Sequence, residues 1–169
     1  MMRAMTDAEM SGWIDFGVGI AGAAAALTGL LFVAVSINLD RILESQTLPR
    51  RAGTTLLMFG AALLSAVLVM MPGQSAAVLG TELFVVALAV GIPLVWVQTR
   101  PPRHEGTTAA VWLLSRLLPS LLVFGLLLSS GVLLWADWSG SLYLMGAAVE
   151  IALAAGIVSS WVLLVEIRR

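Results

Sequence analysis

The chain has 169 residues, of which 60% are hydrophobic and 11% charged, and its mean hydropathy is +1.00. Soluble domains are about one quarter charged, so the composition predicts an integral membrane protein. At about 22 residues per crossing, five spans leave only short loops and no room for a separate soluble domain. With no cysteine, disulfides, thiolate metal sites and cysteine nucleophiles are excluded. Net charge is −1 and every basic residue is arginine, so nothing points to nucleic acid.

The N-terminal stretch resembles a signal peptide only superficially. Asp7, Glu9 and Asp15 outnumber the single Arg3, and the apolar run continues well past the alanines that would suit cleavage. Residues 16–39 therefore read as the first membrane helix, retained in the protein. Four further apolar spans follow, at 52–71, 76–97, 109–135 and 142–165. Each is long enough to cross about 30 Å of hydrocarbon. They are separated by TLPRR, PGQS, QTRPPRHEGTT and ADWSGS, all rich in turn-forming or helix-stopping residues. The expected fold is all-α, a single polytopic domain of five transmembrane helices.

Charge distribution orients it. Arg41, Arg50, Arg51, Arg100, Arg103, Arg116, Arg168 and Arg169 fall on one side of a five-span chain, and only Arg3 falls on the other. The positive-inside rule then predicts the N-terminus outside and the C-terminus in the cytoplasm. The tryptophans agree with the span limits: Trp13, Trp135 and Trp138 sit at one set of ends and Trp96, Trp112 and Trp161 at the other, the headgroup level that amphipathic rings favour.

Helix one carries Gly17, Ala21, Ala25 and Gly29 at i, i+4 spacing. Small residues on one stripe let membrane helices approach closely, so these four are expected to pack a neighbour, either within the bundle or in an oligomer. Glu82 and Glu150 lie inside spans, where an ionisable group is costly and marks a candidate site. Counted from the starts of their helices at 1.5 Å per residue, they stand at about 9 and 12 Å, which predicts a common depth. Glu150 lies between Gly146 and Ala154, which predicts that it points away from lipid. Together the two carboxylates read as a cation- or proton-binding pair in the outer half of the membrane; the alternative is a headgroup-level Glu82 and a hydrogen-bonded packing Glu150. Arg116 is expected to snorkel to the inner interface, with Glu166 or Glu105 as added partners. Lone His104 supplies no metal-ligand set, no cofactor is indicated, and the hydrolase, metalloprotease and phosphate-loop motifs of enzymes are missing.

The segment ALTGLLFVAVSINLDRIL, residues 26–43, resembles the first helix of a group of small bacterial integral membrane proteins, mostly from high-GC bacteria. The resemblance implies a bacterial plasma-membrane location and carries no site residues. The expected function is a homo-oligomeric channel or proton/cation-conducting protein, with membrane lipid and further copies as its surroundings. The alternative is an accessory or scaffold subunit bound to another membrane protein.

Overall fold

A computed structural model describes residues 7–45, 47–99, 117–138 and 140–167. All regular elements among them are helices: α1 (Asp7–Ile37), α2 (Leu39–Glu44), α3 (Leu48–Val69), α4 (Ala76–Gln98), α5 (Leu118–Trp135) and α6 (Ser141–Ile167). Five of the six are long and apolar enough to cross a membrane. The chain is a multi-pass helical membrane protein whose surroundings are lipid.

The helix ends follow local chemistry. Ser75 caps α4 by accepting the Val78 backbone N–H at 3.3 Å, the side-chain bond that satisfies an otherwise orphaned first-turn donor. Before it, Pro72 and Gly73 stop α3, and Gly73 takes φ 73°, a left-handed conformation that glycine adopts freely. Ser45 Oγ accepts from the Thr47 and Leu48 backbone N–H groups at 3.2 and 3.4 Å, tying the α2–α3 corner. Helices extend beyond the predicted spans at several ends. α1 begins at Asp7, and α3 begins at Leu48 with Arg50 and Arg51 already helical. Hydropathy locates the apolar slab, whereas backbone hydrogen bonding carries a helix on into the headgroup region.

Helices α3, α4, α5 and α6 form a closed ring in which each packs against the next, and α1 lies outside it, chiefly on α3 with a minor contact to α6. Helices α4 and α6 are thus across the ring from each other. The interior is filled by Leu83, Leu94, Leu127, Met145 and Val149 among Ala61, Ala62, Ala87, Ala148 and Ala152, all buried. Lipid is as apolar as these side chains, so the bundle gains from close van der Waals packing, which small residues permit. Helices α4 and α5 touch backbone to backbone. A β-carbon built on Gly80 would stand 2.8 Å from the Gly131 carbonyl oxygen, and one on Gly131 would stand 2.8 Å from that of Gly80.

Helix α1 departs from the expected stripe. Gly17 is pressed against Ala66, Val69 and Met70, but Ala21 is half-buried, Ala25 is exposed and Gly29 meets nothing. The buried row is instead Gly17, Ala24 and Leu31, spaced by seven. A row at i+4 turns about 40° per step around a 3.6-residue helix and leaves a straight interface within two or three steps. A heptad row drifts only about 20° per repeat. Gly17 packs within the bundle; Ala25 and Gly29 face away from the other described residues, which leaves only the oligomer form of the expectation for them.

Candidate functional site

The end of the bundle holding the Pro72–Gly73 turn and the α5–α6 connection is here the turn end; the opposite end, with Arg41, Arg50 and Arg51, is the arginine end. Depth within the bundle follows from cross-helix contacts. Gly80 of α4 faces Gly131 of α5, and Ser130 Oγ donates to the Ser141 carbonyl at 2.8 Å. These four residues share one level near the turn end.

Glu82 is two residues beyond Gly80, about 3 Å further in. Its carboxylate accepts from Gln74 Nε2 at 2.6 Å, and Gln74 belongs to the α3–α4 turn. Glu82 is half-buried, and its partner comes from the connection outside the helices. It is held at the rim.

Glu150 lies nine residues beyond Ser141, about 13.5 Å further along α6, and so stands about 10 Å deeper than Glu82. The common depth expected from counting residues does not hold, because α4 and α5 reach higher at the turn end than α6 does. Nor do the two glutamates share a helix interface, since α4 and α6 are opposite members of the ring.

The surroundings of Glu150 also differ from expectation. Gly146, one turn away, is buried against Trp13 and Phe16 of α1, with Trp13 also edge-on to Tyr143 at 5.0 Å between ring centroids. Glu150 itself is exposed, as are Tyr143, Ala154, Ile157, Val158 and Trp161 on the same face. At 100° per residue Gly146 and Glu150 differ by about 40°, enough to put one in the interface and the other outside. Glu150 has no hydrogen-bond or ion-pair partner among the described residues. Tyr143 and Trp161, amphipathic rings of the kind that favour the headgroup level, lie about 27 Å apart along this face, and Glu150 is about 10 Å from the first. A bare charge in such a place costs several kcal/mol, about 2.5–3.5 even on insertion scales.

A second polar locus joins α3 to α6 at the arginine end. Arg51 Nη1 meets Glu166 Oε2 at 2.7 Å, with the arginine side chain 14% exposed and the glutamate 43%. One turn inward, buried Thr55 donates to Ser159 Oγ at 2.8 Å. Glu166, considered above as a partner for Arg116, is thus held by Arg51, whose i+4 relation to Thr55 sets both on one face of α3. Arg116 lies outside the described residues. Sequence reasoning placed Arg51 only as a topology charge and passed over Gln74; both take their meaning from partners on other elements.

Comparison of the chain with protein-family models, curated proteins and solved structures returns no match.

Proposed function

We propose that the chain is an accessory subunit of a larger membrane assembly, acting by lateral association through the exposed face of α6, in the bacterial plasma membrane with its arginine end toward the cytoplasm. The observation that supports this reading is Glu150: a carboxylate without a partner among the described residues, on the outside of the bundle, about 10 Å along α6 from Tyr143. Ala147 and Ala154 flank it, so an approaching helix meets little steric resistance. An enzyme has less support, since neither polar locus pairs a nucleophile with a base.

The conducting reading keeps one favourable observation. Copies arranged with α6 toward a common axis would bring their Glu150 side chains together, which a protomer alone does not do, its described interior being filled mainly by apolar side chains with a few buried hydroxyls. Glu82 takes no part in either reading beyond fastening the turn.

Native membranes extracted into polymer nanodiscs test the proposal. The assembly is expected to exceed one 17.8 kDa chain, to contain a second kind of chain, and to shrink to the single chain when Ala154 is replaced by leucine. Purified protein in proteoliposomes is expected to pass no cations. A homo-oligomer with cation flux that Glu150→Gln abolishes would replace the accessory reading with the conducting one.

A further inference from the structure

We infer that the α6 face receives a transmembrane helix of another protein that presents a basic side chain, lysine or arginine, at the level of Glu150. This rests on the accessory-subunit reading and names the chemistry of the partner.

The carboxylate requires a counter-charge or donor, and among the described residues none meets it: the one hydroxyl at that level, Ser65 of α3, is fully buried inside the bundle while Glu150 is exposed. Phe59 packs on Gly156, which sets Ser65 of α3 at the level of Glu150; the Ser130–Ser141 bond sets Leu121 of α5 there as well. The exposed side chains around those positions are Leu64, Val67, Leu121 and Leu122, and across α4 at the same depth Ile92. On α1 the exposed residues opposite Gly146 and below are Val18, Gly19 and Gly22. None carries a charge or an N–H to give. A second copy docking through any of these faces would cover Glu150 with hydrocarbon. A second copy docking through its own α6 would bring another carboxylate to the same depth, adding like charge. Arg51 is engaged with Glu166 at the far end of the bundle.

The face also has the form of a helix seat. Tyr143, Ala147, Glu150, Ala154, Ile157 and Trp161 recur at spacings of three and four, so they line one stripe. Small residues sit on both sides of the carboxylate, and the aromatic residues stand at the ends. A partner helix lying along the stripe approaches most closely where the charge is, removing the pair from lipid and strengthening it.

The test uses the full chain in nanodiscs and synthetic single-span leucine–alanine peptides. One peptide carries a single lysine about 10 Å below its tryptophan anchor, a depth reckoned at 1.5 Å per residue; a second carries glutamine there, and a third carries the lysine two turns nearer the other end. Because the chain lacks cysteine, Glu44→Cys gives one labelling position for energy transfer. The first peptide is expected to bind the Glu44→Cys protein at least tenfold more tightly than the other two, and the preference is expected to vanish with Glu150→Gln at unchanged thermal stability. Equal binding of lysine and glutamine peptides, or a lysine preference that survives Glu150→Gln, overturns the inference. So does protein self-association that the lysine peptide fails to displace and Glu150→Gln removes, which assigns the seat to a second copy. Loss of the native assembly with Ala154→Leu alongside equal peptide binding would leave the accessory reading standing and reject only the cationic partner.

Discussion

Gly80 and Gly131 touch backbone to backbone: a β-carbon on either would lie 2.8 Å from the other's carbonyl oxygen. Backbone cannot swing aside as a flexible side chain can, so any larger residue pushes α4 and α5 apart. Gly80→Ala and Gly131→Ala are each expected to destabilise the bundle by about 1–3 kcal/mol, the usual cost of overpacking. Gly22→Ala and Gly29→Ala, which meet open space, should leave stability unchanged or slightly raised. Thermal unfolding of the four variants in one detergent checks the contrast.

The two rows of α1 separate in the same way under leucine substitution. Ala24 is fully buried and Gly17 is pressed on α3, so Gly17→Leu and Ala24→Leu should detach the helix or cost several kcal/mol. Ala25→Leu and Gly29→Leu extend into lipid or an outside partner and should leave the isolated chain's melting temperature in place. Equal damage from all four would contradict the heptad seam.

Glu82 is expected to behave as a fastening of the α3–α4 turn. Gln74→Ala and Glu82→Ala remove the same bond, so each should cost about 1 kcal/mol and the double variant little more. Neither should alter the mass of the native assembly. A change in assembly with Glu82→Ala alone would give this residue a role that its position at the rim does not indicate.

At the arginine end, a double-mutant cycle on Arg51→Met and Glu166→Gln should return a coupling energy of about 1 kcal/mol. Glu166 is 43% exposed and partly screened by solvent, whereas Arg51 is only 14% exposed, so the value belongs near the upper limit for surface pairs. Glu166→Gln should weaken the pair at low salt more than at high salt. A coupling indistinguishable from zero would make the contact incidental.

Orientation has a direct readout. With no native cysteine in the background, Ser139→Cys, in the ADWSGS segment between the last two spans of the sequence, and Glu44→Cys are expected on opposite sides of the membrane. An impermeant thiol reagent added to intact cells should label Ser139→Cys and spare Glu44→Cys. The reverse pattern would invert the topology.

What the sequence determined by itself was the class of protein, the number of spans and, among the described residues, the turns around Pro72–Gly73 and after Trp135. These depend on the length of apolar runs and on where proline, glycine and charge interrupt them, and both properties are local along the chain. Gly17 was legible as a contact because the i+4 and heptad rows coincide at their starting point. Their divergence at Ala25 and Gly29 was not legible, because the direction of the interface is set by α3, not by α1. The depths of Glu82 and Glu150 were misjudged for a related reason: counting from each helix start assumes that the starts are level, and only the contacts Gly80–Gly131 and Ser130–Ser141 show that α6 begins lower. The outward direction of Glu150 was decided by tertiary structure as well. Gly146 and Glu150 are neighbours on one helix, but α1 docks beside the glycine through Trp13 and Phe16 and leaves the carboxylate uncovered. Periodicity says which residues share a face; only the packing of the other helices says which face is inside.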